Sequence, residues 1–156
     1  MVSNSIPGDF MIRLAVLAAT LVLTAGSTMA EETAAYSGLY LGSGEGELSA
    51  DLTHIDGDRY DISISTIVPM ENNIPGCGGG IDGEIEIKDG AGMLTAPNEL
   101  YDVTSTLPAF SKPMCEVSLQ FDDNYGLIIK EEGGCTYYHG AACGFSGTLE
   151  HEAAGI

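Results

Sequence analysis

The sequence predicts an all-β domain: a small antiparallel up-and-down barrel of about eight strands, stapled by disulfides, with a two-sheet β-sandwich as the alternative. Three observations predict it. Apolar residues recur with period two through most of the chain beyond Ala30, and no 3.6-residue apolar stripe runs there. Short turns rich in glycine, aspartate and asparagine separate these alternating runs. All four cysteines, Cys77, Cys115, Cys135 and Cys143, lie in this same region.

Ser37 to Leu41 reads as a short first strand. Glu47 to Ile55 alternates, with Leu48, Ala50 and Leu52 on one face and Ser49, Asp51 and Thr53 on the other. Asp56-Gly57 then supplies a hairpin turn of the primed type. Arg59 to Val68 alternates again, setting Tyr60, Ile62 and Ile64 against Asp61, Ser63 and Ser65. Val68 to Gly80 reads as a loop because it is dense in proline, asparagine and glycine. Gly83 to Lys88 and Met93 to Ala96 are strands about the turn Asp89 to Gly92. Pro97 to Pro113, with three prolines, is a crossing loop or a weak edge strand. Cys115, Val117, Leu119 and Phe121 share one face of a strand, and Leu127 to Glu131 answers it across Asp122 to Gly126. Gly144 to Glu150 is the last strand, and His151 to Ile156 a flexible tail. Joining the first strand to the last would close a meander into a barrel.

Ahead of the domain lies an export signal. Arg13 precedes the apolar run Leu14 to Ala25, small residues follow, and cleavage is expected after Ala30. Asp9 and Pro7 suit such a signal poorly, so Met11 is a second candidate start. Residues 31–150 then form a single domain in a mature chain of roughly 126 residues. The apolar run is too short for a permanent membrane span, and no cysteine at the cleavage site offers a lipid anchor. The expected location is the periplasm or the exterior, where disulfides persist.

Four cysteines admit three pairings. Closing the short loop Cys135–Cys143 leaves Cys77–Cys115, the preferred set. A symmetric register of the hairpin about Asp122 to Gly126 gives instead Cys115–Cys135 with Cys77–Cys143. A four-thiolate zinc site lacks the short Cys-x-x-Cys pairs it would need.

With 23 acidic residues against 5 Lys and Arg, the net charge is −18. Such a surface repels phosphate backbones and acidic headgroups, which argues against nucleic acid. It favours a basic protein as partner. Asp56-Gly57-Asp58 and Asp122-Asp123-Asn124 read as solvated turns, because neither continues into a calcium loop. The chain has no Gly-x-Ser-x-Gly elbow, His-Glu-x-x-His pair or phosphate-cradling loop. The expectation is a non-enzyme without cofactor or metal. Tyr137, Tyr138 and His139, between Cys135 and Cys143, are the candidate binding residues, since tyrosine offers a large rigid face and a polar tip. A small-ligand carrier of lipocalin type is the alternative, and a hydrolase using His139 ranks last.

The stretch Cys135-Thr136-Tyr137-Tyr138-His139-Gly140-Ala141-Ala142-Cys143-Gly144-Phe145-Ser146-Gly147 resembles the ending of small secreted β-proteins of Gram-negative bacteria, which carry Cys-x-Tyr-Tyr-His-Gly-x-x-Cys-x-Phe-x-Gly after a strand that begins with cysteine. In size and style these are similar to periplasmic lysozyme inhibitors. The resemblance implies an exported protein that binds another macromolecule, a cationic lysozyme-like enzyme among them. The inhibitors' Ser-Gly-x-x-Tyr loop is matched only in part: in Ser37-Gly38-Leu39-Tyr40 the tyrosine falls one position early.

Overall fold

The computed structural model describes residues 35–154. The expected export signal, its cleavage point after Ala30 and the second candidate start at Met11 lie outside the described residues. The chain forms β1 (Gly38–Gly44), β2 (Glu47–Asp56), β3 (Arg59–Val68), β4 (Cys77–Glu86), β5 (Ala91–Pro97), the single-turn helix α1 (Pro108–Ser111), β6 (Met114–Phe121), β7 (Gly126–Gly133) and β8 (Gly147–His151). The strands make one antiparallel sheet in the order β4-β3-β2-β1-β8-β7-β6-β5, curled into a nearly closed barrel. The first strand does pair with the last, from Tyr40 opposite His151 to Gly44 opposite Gly147.

Period-two patterning explains the sheet. Leu48, Ala50 and Leu52 of β2 and Tyr60, Ile62 and Ile64 of β3 all point inward and are buried. Register places Leu52 across from Ile62 and Ala50 across from Ile64, so each inward row meets its neighbour. The interior is filled by its own side chains: Tyr60, Leu52, Ile64, Leu94, Leu119, Leu127, Ile129, Phe145 and Leu149 are all nearly or wholly inaccessible. Aspartates and serines take the outward positions, while Thr66 of β3 turns inward and is buried.

Several boundaries differ from the sequence reading, three of them near the ends of the barrel where the loops gather or the sheet closes. β4 begins at Cys77, so Gly78, Gly79 and Gly80 are strand and pair with Ile67, Thr66 and Ser65. The missing side chain of Gly79, the middle one, admits the close approach of another segment, described below. β8 starts at Gly147, because Gly144 to Ser146 are held by Glu45 instead of by a ladder. His151, read as part of the tail, ends β8; its Nε2 donates to Ser37 O at 3.0 Å and its Nδ1 accepts from Ala153 N at 3.0 Å.

The disulfides are Cys77–Cys143 and Cys115–Cys135, with Cα separations of 5.8 and 4.4 Å. The preferred pairing Cys77–Cys115 with Cys135–Cys143 is therefore corrected to the alternative. The hairpin register decides it: Phe121 faces Leu127 and Glu116 faces Gly133, so one step further Cys115 comes level with Gly134, within reach of its neighbour Cys135. Cys143 is left to reach the start of β4. All four thiols are used, which fits an oxidising compartment.

The barrel has two unlike ends. One carries short turns, at residues 57–58, 87–90 and 122–125. The other carries the turn 45–46 and the three long connections 69–76, 98–113 and 134–146.

At the short-turn end Tyr40 is 2% exposed, and its hydroxyl donates to Tyr36 O at 3.2 Å. Burial, with the neighbouring Tyr60 and Tyr36 phenols, pushes its pKa from 10.0 up to about 12. The unfolded chain loses this proton first, so the contribution of Tyr40 to stability is complete below pH 10 and is lost as pH rises towards 12. The midpoint of urea unfolding should fall across that window, and Tyr40→Phe should flatten the fall.

Candidate functional site

β4 and β5 leave their joining turn as a hairpin, with Lys88 N to Ala91 O and Ala91 N to Lys88 O both at 2.9 Å. Beyond it they part, and the sheet order ends on these two strands. The segment holding Tyr137, Tyr138 and His139 lies in the resulting seam at the long-loop end. His139 bridges to Gly79 as a short extra strand, Gly80 N donates to Tyr138 O at 3.0 Å, and Gly140 N donates to Gly78 O at 3.3 Å. From the same segment the Tyr138 hydroxyl reaches the far strand and donates to Pro97 O at 2.8 Å. Burial, then the negative field of Glu99 and its neighbours, raises the Tyr138 pKa and keeps this donor protonated.

His139 is the hub of the closure. Its Nε2 lies 3.0 Å from Glu131 Oε2, and its Nδ1 lies 2.8 Å from Gly140 O. Both partners are acceptors, so a ring N–H on either side finds one. The two side chains are 9% and 18% exposed. The imidazole packs edge-on against Phe145, centroids 5.2 Å apart. Glu131 shares parity with Leu127 and Ile129, so its carboxylate faces the mouth of the barrel. That carboxylate also accepts from Phe145 N, while Glu45 accepts from Ser146 N.

The ending motif thereby acquires physical reasons. Cys143 ties the segment to β4, Gly144 leaves room for the Glu45 and Glu131 carboxylates, and Phe145 enters the core. At Gly147 a Cβ would press on the Ser43 backbone of β1. Gly79 is the most demanding neighbour: a Cβ there would meet His139 Cβ and lie 2.6 Å from Tyr138 O. Gly79→Ala should lift the segment off β4 at a cost of about 1–3 kcal/mol. Faster amide exchange at Gly80 would report it.

Of the three binding candidates, then, Tyr138 and His139 are engaged in closing the barrel. Tyr137 is 54% exposed, its ring set edge-on against Tyr138 at 5.2 Å. The sequence reading missed the exposed apolar residues on the flanking loops. In the 69–76 connection Met70 and Ile74 are exposed at 73% and 68%. They flank a turn in which Asn72 and Asn73 both have positive φ, the primed geometry that asparagine tolerates. An open cleft of about 310 Å³ lies among Val68, Pro69, Glu71, Ile74 and Pro75. In the 98–113 connection Val103 and Leu107 project, while buried Asn98 organises the loop by donating to Ala109 O and Lys112 O and accepting from Leu100 N. The available signal was apolar residues beside turn formers, which a loop of ordinary solubility does not need.

Acids line the outer wall of the barrel, from mid-strand towards the short-turn end. Asp51, Asp61, Asp82 and Glu84 line an open cleft of about 310 Å³ on the outer face of β2, β3 and β4. The turn acids are structural: Asp56 grips Arg59 through two hydrogen bonds, which lowers its pKa, and Asp122 Oδ1 accepts from Asn124 N and Gly126 N. His54 Nε2 donates to Gly57 O, 2.9 Å away, within its own hairpin. Among the described residues no three His, Cys, Asp or Glu side chains converge as a metal would require. No family model, curated protein or solved structure matches the chain.

Proposed function

We propose that this is an exported, non-catalytic binding protein whose long-loop end docks on a cationic macromolecule, a basic lysozyme-like enzyme being the first to test. The observation that carries the reading is the gathering of exposed Met70, Ile74, Val103, Leu107 and Tyr137 at one end of the barrel, on connections anchored by both disulfides. Rigid, apolar loops with a tyrosine are the composition of a protein-recognition surface. Charge selects the partner's sign: at −18 the chain repels acidic surfaces, and its acidic wall steers a basic one into contact. The filled interior favours this reading over a lipocalin-like carrier.

Titration of the purified mature protein into basic lysozymes of several types, at rising salt, tests it. Saturable binding at low salt is expected, weakened by salt and by Met70→Asp or Val103→Asp. Absence of binding to every such enzyme at low salt would remove the lysozyme version, and undiminished binding by both variants would remove the loop end as the surface.

A further inference from the structure

The short-turn end carries a site of different chemistry, independent of the loop-end reading. We propose that the cleft of about 270 Å³ lined there by Tyr36, Tyr40, Phe121, Asp122, Asp123 and Tyr125 binds a small free quaternary ammonium compound of choline size.

Aromatic rings make the floor and walls. Tyr40 and Phe121, 2% and 7% exposed, form the floor with centroids 5.7 Å apart. Tyr36 tilts over Phe121 at 4.7 Å on one side. On the other, His151 lies 4.8 Å from Tyr40, and Tyr125 lies 6.1 Å from His151. Tyr125 is 60% exposed, yet its backbone is held at φ +63°, a conformation an aromatic residue rarely adopts. Three hydrogen bonds fix it there: Asn124 N and Gly126 N donate to Asp122 Oδ1, and His151 N donates to Tyr125 O at 2.9 Å. The glycine best suited to such a backbone stands one residue later. Strain of this kind collects where a side chain is being aimed.

The charge of the cleft is negative and uncompensated. Asp122 Oδ2 is left over from those hydrogen bonds, and Asp123 has no hydrogen bond or ion pair among the described residues. Arg59, Lys88, Lys112 and Lys130 are each paired with carboxylates elsewhere. His151 donates from Nε2 and accepts at Nδ1, so as bonded it does not oppose a cation. Two carboxylates beside aromatic faces do not meet the six or more oxygens a hard metal ion prefers. They suit a large, weakly hydrated cation that needs ring faces and negative charge but no directional acceptors.

Isothermal titration of the mature protein with choline tests this, alongside the neutral tert-butyl isostere of choline. Saturable one-to-one binding is expected, with the isostere about 10-fold weaker or more. Tyr125→Leu keeps apolar bulk and removes the ring face; Asp123→Asn removes a charge. Each exposed substitution should weaken choline about 3- to 10-fold with an unchanged unfolding midpoint. No saturable heat, equal affinity for the isostere, or unaltered affinity in Tyr125→Leu would overturn the proposal. So would adhesion to phosphatidylcholine vesicles without binding of free choline, which would assign the cleft to a membrane surface.

Discussion

Replacing Cys77 and Cys143 together by serine should cost about 4 kcal/mol, against about 3 kcal/mol for the pair Cys115 and Cys135. The difference follows from the closed loops, with sequence separations of 66 and 20 residues. Cross-linking the longer loop removes more freedom from the unfolded chain. The Cys77–Cys143 bond also holds the 134–146 connection across the seam, so its loss should loosen the hydrogen bonds of Gly78, Gly79 and Gly80 to that segment. Urea unfolding of the double variant, with amide exchange read at Gly80, measures both effects. A loss below about 1 kcal/mol would mean that His139, Glu131 and Tyr138 hold the segment without the crosslink.

Phe145→Ala should be nearly as severe, at about 3–5 kcal/mol. Phe145 is wholly buried, and it supports the His139 ring from inside while Glu131 holds it from the flank. Truncation removes a large core side chain and the wall on which the imidazole rests. The variant should unfold at lower denaturant and be cleaved by protease within residues 136–142 before the rest of the chain. Phe145→Leu keeps most of the volume and should lose much less. If Phe145→Ala melted the barrel without earlier cleavage in that segment, His139 would owe its position to Glu131 and the backbone alone.

Most of the barrel was legible because period two survives in Leu48 to Leu52, Tyr60 to Ile64 and Cys115 to Phe121. Each row needs only local alternation to declare its inner face. Gly78-Gly79-Gly80 was opaque for the opposite reason. Glycine carries no parity, so nothing local distinguishes a loop from a strand that must admit a second segment. The disulfides turned on register, which the sequence left as two options and the β6–β7 hairpin settles. The role of His139 was hidden because Glu131, its partner, belongs to a different element. Its parity with Leu127 and Ile129 marked it as inward, a clue that a buried acid needs a donor. Asn98 gave even less warning, since one polar residue among prolines does not reveal the three loop contacts it makes.

The central ladder joins opposite ends of the domain's sequence. Each half of the sheet, β1 to β4 and β5 to β8, is a meander of neighbours, but they meet through β1 and β8. A chain delivered amino end first cannot complete the sheet until Gly147–His151 arrives, so acquisition of the native state should be slow, as high contact order dictates. Meanwhile β1 waits with one unpaired edge, and its Gly38, Gly42 and Gly44 make it a poor template for foreign strands. The glycines that later let β8 approach so closely also guard the nascent molecule against aggregation.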